Sequence, residues 1–177
     1  MELMSRPHPN ISIAQEIEYD QDNLYPHEWI HGPDLPLRSQ FEVFSIGTVG
    51  RGIRSKAGFS RGSVIARFTG QLMSSVLQHT LQVSPTSHVY DPYFIGLLTH
   101  SCAPNCILEM SQLELIALSD IAEGDTLTID YALTEDALFR QFPCGCGSSN
   151  CRHWVTGRRE TINEEGKAYL SNMATPS

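Results

Sequence analysis

Cys144, Cys146 and Cys151 stand in the pattern C-x-C-x4-C, and far upstream Cys102 and Cys106 bracket Ala103-Pro104-Asn105. A tetrahedral zinc ion takes four thiolate or imidazole ligands, and the C-terminal pattern supplies three. The fourth has to come from elsewhere, and Cys102 and Cys106 are the two left of the chain's five cysteines. Either would staple the C-terminal segment against the loop His100 to Cys106. Two cysteines in C-x-C do not readily bridge to each other, and an odd cysteine count suits free thiols.

The 177 residues have the length of one domain, and the net charge of −8 is strongly segregated. Residues 1–40 carry seven acidic and two basic side chains, residues 43–90 five basic and none acidic, and residues 91–139 nine acidic and none basic. Acidic surface repels phosphate backbones and attracts basic peptides or amines, so the expected partner is a Lys-bearing or other cationic substrate, with no direct nucleic-acid contact. No apolar run reaches about 18 residues, and the N-terminus lacks a basic-then-apolar leader pattern. The expectation is an intracellular protein, cytoplasmic or nuclear, with no membrane contact. Oligomeric state is left open.

The elements that must position the cysteines read as short strands cut by glycines. Residues 1–40 hold five of the ten prolines and read as an extended arm, with Ile11 to Ile13 its one strand-like stretch. Phe41 to Phe44 reads as a strand running into Gly47, Gly50 and Gly52, and Ser63 to Phe68 as another between Gly62 and Gly70. Ser74 to Leu81 is a candidate helix. Ile107 to Glu109 and Leu113 to Leu118 form a hairpin, Glu123-Gly124-Asp125 a turn, and Thr126 to Tyr131 an alternating strand. Thr134 to Phe142 suggests a helical turn, and the residues past Gly157 a short helix and frayed tail.

His100-Ser101-Cys102-x-Pro104-Asn105, then Glu123-Gly124-Asp125-Thr126-Leu127-Thr128-Ile129-Asp130-Tyr131, then the cysteine triplet, resemble in order and spacing the SET-domain lysine methyltransferases with a post-SET zinc segment. Gly50-Arg51-Gly52-Ile53 is similar to the family's cofactor loop, and the likeness covers about residues 41–157. It implies a mostly β, SET-type β-clip fold of several small sheets, with a knotted-looking C-terminal segment and a zinc-stapled tail. The implied division is an arm at 1–40, a catalytic domain at 41–139, a post-SET segment at 140–160 and a tail at 161–177.

The resemblance further implies S-adenosylmethionine and zinc as cofactors and methyl transfer to a protein lysine. It implies Tyr131 as the catalytic residue; Gly50, Arg51, Gly52, Thr99, His100 and Trp154 at the cofactor; and Cys102, Cys144, Cys146 and Cys151 on the metal, leaving Cys106 free. Tyr90 and Tyr93 fall where a lysine channel could be lined. Several positions depart from the family pattern. Thr99 replaces an Asn, Gly96 and Leu97 an Arg and an aromatic, Arg51 a Trp, Gln71 a Glu, and Ile129 a Phe or Tyr. These departures motivate a second expectation, a SET-fold enzyme acting on a small metabolite.

Overall fold

The computed structural model describes residues 20–47 and 50–174. Phe41–Ile46 (β1) and Gly50–Ser55 (β2) form an antiparallel hairpin in which Phe44 faces Gly52. Val64–Arg67 (β3), Gln71–Met73 (β4), Thr80–Ser84 (β5) and Ser87–Tyr90 (β6) follow. A 3-10 turn at Ile95–Leu97 then leads into Thr99–His100 (β7), Cys106–Glu109 (β8) and Glu114–Ala117 (β9). Strand β9 sits between β3 and β8, and β6 between β4 and β5. Each of these small sheets has too few strands to bury its own face, so all pack on one core.

That core gathers Phe41, Ile53, Phe94, Ile95, Leu98, Leu115, Leu127 and Ile129, all nearly or fully buried. The charge blocks of the sequence become cross-strand neighbours. Arg67 on β3 faces Glu114 on β9, with Nη2 to Oε1 at 2.9 Å. A basic stretch followed by an acidic one is what an antiparallel pairing of the two converts into opposite-charge pairs, each worth about 0.2–1 kcal/mol.

Thr128–Ile129 (β10) pairs parallel with β7, Thr128 beside Thr99 and Ile129 beside His100. Asn105 locks this ladder: its Oδ1 accepts the Thr128 N–H at 2.8 Å, and its Nδ2 donates to the Thr126 carbonyl at 2.9 Å. Tyr131–Thr134 (α1) is a single helical turn begun by Asp130, whose Oδ1 accepts the Ala132 N–H at 3.0 Å. Phe142–Pro143 (β11) and Trp154–Val155 (β12) close antiparallel around the cysteine triplet, and the helix Glu164–Ala174 (α2) follows.

The structure differs from the sequence expectation in several places. Ser74 to Leu81 is not helical: it is irregular up to Thr80, where β5 begins. The leucines and serines there lack the periodic apolar face that packing would need to hold a helix. The helical turn starts at Tyr131, not Thr134, because Asp130 supplies the better cap. The strand from Thr126 shrinks to Thr128–Ile129.

The segment 20–40 is tied into the core rather than laid along it. Leu24, Tyr25, Ile30 and Leu35 are buried, and the Tyr25 hydroxyl donates to the fully buried Asp91 at 2.6 Å. The strand-like Ile11 to Ile13 lies outside the described residues.

Candidate active site and metal centre

Asp91 begins the site. Its carboxylate accepts the N–H groups of Tyr93, Phe94 and Ile95 at 2.8–3.0 Å. This fixes the turn that delivers Leu98 and Thr99 to the wall of a cavity of about 330 Å³. Gly50 and Arg51 from β2, the stretch from Val76 to Leu81, Ile129, Tyr131, Glu135 and the segment around Phe139 complete that wall.

Tyr131 stands at its floor. The phenol donates to the Leu98 carbonyl at 2.5 Å, and burial pushes its pKa up to about 12. Its one proton is therefore committed to a carbonyl, and the oxygen is left as an acceptor toward the cavity.

Of the residues expected at a cofactor, Gly50, Arg51 and Thr99 line this cavity, and Gly52, His100 and Trp154 do not. Among the described residues a Cβ on Gly50 would meet nothing within 4 Å, whereas one on Gly52 would press on the Ile46 Cδ1 at 2.8 Å and the Phe44 ring at 3.0 Å. Gly52 is a packing glycine.

His100 is enclosed by the rings of Tyr131 and Phe142. Its Nδ1 accepts the Tyr131 N–H at 3.2 Å, and burial pushes its pKa down to about 4. A neutral ring is the form that can accept this bond. Trp154 is 4% exposed, donates from Nε1 to Gln141 at 3.0 Å, and packs on Tyr169 over Gly166. It anchors α2. Tyr93 stands edge-on to Tyr25 and Trp29 on the N-terminal side, and neither it nor Tyr90 lines the cavity.

The departure at Gly96 has a structural reason. A Cβ there would strike the Asp91 carbonyl and come within 2.7 Å of the His79 carbonyl. His79 has φ +68°, a region that side chains other than Gly enter only when the surroundings hold them. Its Nδ1 lies 2.8 Å from the Gly96 carbonyl. A carbonyl only accepts, so Nδ1 carries the proton of that bond, and the imidazole stands on the cavity wall.

Cys102, Cys144, Cys146 and Cys151 bring their Sγ atoms within 4.8 Å of one another, with Cys102 and Cys144 at 3.9 Å. Zinc–sulfur bonds of about 2.3 Å in a tetrahedron put the sulfurs about 3.8 Å apart, so these four thiols fit one ion. Cys106 stands apart in the core, its thiol donating to Asn105 at 3.3 Å and pushed up to about 12 by burial.

Next to the cluster, Arg152 donates to Asp130 and to the Cys102 sulfur, and Asn150 donates to the Cys102 carbonyl. Sequence reasoning passed over His79, Glu135, Asp130 and Arg152. The last two had a signal in their adjacency to Tyr131 and Cys151.

Residues 50–132 match the model of the SET domain. That stretch of the chain is similar to a SET domain. Human histone-lysine N-methyltransferase 2D is 35% identical over 78 residues, covering 38% of this chain and 1% of that protein. Histone-lysine N-methyltransferase trithorax of Drosophila virilis is 28% identical over 193 residues, covering 86% of this chain and 5% of that protein. Among solved structures, KRYPTONITE in complex with mCHG DNA and SAH has a TM-score of 0.53 at 26% identity, over 64% of this chain and 28% of that one. The chain thus spans a few per cent of the length of these curated relatives, 1% and 5%. The SET fold accounts for the small sheets, and the C-terminal cysteine cluster agrees with a post-SET zinc site.

Proposed function

We propose that the protein is an S-adenosylmethionine-dependent methyltransferase acting on the ε-amine of a lysine in another protein, within the cytoplasm or nucleus. The observation that carries this reading is Tyr131 on the floor of the cavity, its phenol proton committed to the Leu98 carbonyl at 2.5 Å inside a SET domain. S-adenosylmethionine, when bound, supplies a methyl group on a cationic sulfur. Gly50, Arg51 and Thr99 are the residues on the cavity wall suited to hold it, and the Leu98 carbonyl and Tyr131 oxygen suit a positive centre. Gly50 leaves the backbone approachable, since no atom of the described residues lies within 4 Å of its would-be Cβ.

Tyr131 would accept an N–H of the lysine amine and so aim the nitrogen lone pair. A free lysine amine has a pKa of roughly 10.4, and enclosure in an apolar cavity lowers it by disfavouring the charged form. The main contribution of the chain is orientation at close range. Zinc, held by Cys102, Cys144, Cys146 and Cys151, would close the post-SET segment at 140–160 over the catalytic domain. The names of the relatives, all histone-lysine N-methyltransferases, favour a protein lysine over a small-molecule amine as acceptor.

Calorimetry with S-adenosylmethionine, followed by methyl transfer to histone and peptide arrays, tests the reading. Tyr131→Phe should bind the cofactor within about threefold of wild type and lose most methyl transfer, at least the roughly tenfold that 1.4 kcal/mol represents. Absence of cofactor binding by the wild-type protein overturns the enzyme assignment.

A further inference from the structure

We propose that Glu135 is the cation-recognising side chain of the cavity, its carboxylate receiving the ammonium of the acceptor amine beside Tyr131 and taking one proton from it. The inference rests on the amine-methylation reading above and names a residue that reading does not use.

Glu135 is the one carboxylate among the described residues that line the cavity. It ends the turn that Tyr131 begins, its own N–H donating to the Tyr131 carbonyl at 2.9 Å. It is 6% exposed, and its two oxygens share a single backbone donor, the Gln82 N–H, at 3.0 and 3.1 Å. The nearby Thr134 hydroxyl gives its one proton to the Tyr131 carbonyl at 3.2 Å. A carboxylate offers about four acceptor sites, so acceptor capacity remains. A buried carboxylate left short of donors is a place where an entering cation gains most.

The charged groups around it do not already satisfy it. Asp136, the next residue, is engaged by Arg158, Arg159 and the Gln82 side chain. Arg158 acts on Glu135 only at a distance, and Arg140 on the cavity wall pairs with Glu165 at 3.2 Å. Arg51 and His79 also belong to the wall, and the His79 ring is engaged by the Gly96 carbonyl at 2.8 Å. Burial pushes the Glu135 carboxyl up to about 7, so both of its forms are populated near neutral pH.

In the proposed step one N–H bond of the ammonium breaks. The proton passes to a Glu135 oxygen, giving the neutral acid, and the bonding pair stays on nitrogen as the lone pair that Tyr131 orients. Desolvation lowers the amine's pKa and raises the acid's, which narrows the gap the proton must cross.

The test uses n-butylammonium as the probe and the full chain labelled with carboxyl-¹³C glutamate, the Glu135 signal being assigned through its backbone. Butylammonium should shift the Glu135 carboxyl signal and lower its titration midpoint. Glu135→Gln should bind the probe at least tenfold more weakly while its side-chain oxygen still accepts the Gln82 N–H. An unmoved Glu135 signal, or equal probe binding by the variant, overturns the proposal. The wild-type carboxyl signal decides the matter even if the variant does not fold.

The two readings fail separately. If Glu135→Gln methylates peptides at the wild-type rate with an unchanged pH profile, this inference falls and the methyltransferase stands. If the wild type binds butylammonium at Glu135 but methylates no lysine, the substrate assignment falls and the cation site stands.

Discussion

Arg152 donates from its guanidinium to the Asp130 carboxylate at 2.5 Å, which joins the residue after the last clustered cysteine to the residue before Tyr131. Asp130 is 7% exposed, also caps α1, and lies 3.7 Å from the His100 ring. One side chain thus links the metal segment to the start of the turn that carries Tyr131.

Arg152→Ala should therefore cost more than an exposed ion pair. It leaves a buried carboxylate with a backbone N–H in place of a guanidinium, a loss of about 1–3 kcal/mol. Urea unfolding would measure this, and Arg152→Lys should recover part of it. Methyl transfer should fall more steeply than cofactor affinity, because the groups that move are those positioning Tyr131.

Metal content separates the five cysteines. Mass spectrometry of the native protein should find about one zinc per chain, unchanged in Cys106→Ser and lost or strongly reduced in Cys144→Ser and Cys151→Ser. Loss of zinc from Cys106→Ser with retention in Cys102→Ser would reverse the ligand assignment. Chelation should also lower the melting temperature, since the energy of binding such an ion is energy of folding.

Glu135 gives stability a predictable pH dependence. Its folded-state pKa is raised from 4.5 to about 7, so the folded chain holds this proton more tightly than the unfolded one. The contribution is fully present below about 4.5 and is lost as pH rises through about 7. Relative to Glu135→Gln, the wild type should lose up to roughly 3 kcal/mol between pH 4.5 and 8, as denaturant unfolding across that range would read. A constant difference between the two proteins would contradict the burial argument.

Gly50 and Gly96 should respond oppositely to alanine. Gly96→Ala drives a methyl into the Asp91 and His79 carbonyls, backbone atoms that cannot swing aside, and should destabilise by about 1–3 kcal/mol or more. Gly50→Ala meets open space, so its thermal midpoint should stay within a few degrees of wild type. Cofactor affinity is where its effect should appear.

The strand from Phe41, the hairpin at 106–117 and the cysteine triplet were legible because alternation, turn residues and cysteine spacing are local signals, whereas Gly50–Ser55 read as a glycine loop and Cys102 joined the triplet only through the family resemblance. Tyr131 was legible only through the ordered motifs around it. The rest depends on contacts that no local pattern encodes. Trp154 looked like a cofactor residue from its distance to Cys151, yet Gly166, twelve positions on, gives its indole a place to pack. Glu135 reads as an ordinary surface acid until β5 covers it with the Gln82 N–H. Gly96 reads as a loop glycine, and only the Asp91 and His79 carbonyls packed against it reveal why no side chain fits there.

The parallel pairing of β7 with β10 also sets the order in which the molecule can mature during synthesis. Tyr131 meets Leu98 across 33 residues, Cys102 meets Cys144 across 42, and Arg152 meets Asp130 across 22. Contacts of such separation form slowly, and a ribosome delivers the N-terminal partners first. The hairpin at 41–55 can fold as it emerges, whereas the cysteine cluster waits for the last quarter of the chain. An interrupted product ending before Cys144 would carry most of the core and every residue of the cavity wall, but neither the cysteine triplet nor the Arg152 tie to Asp130.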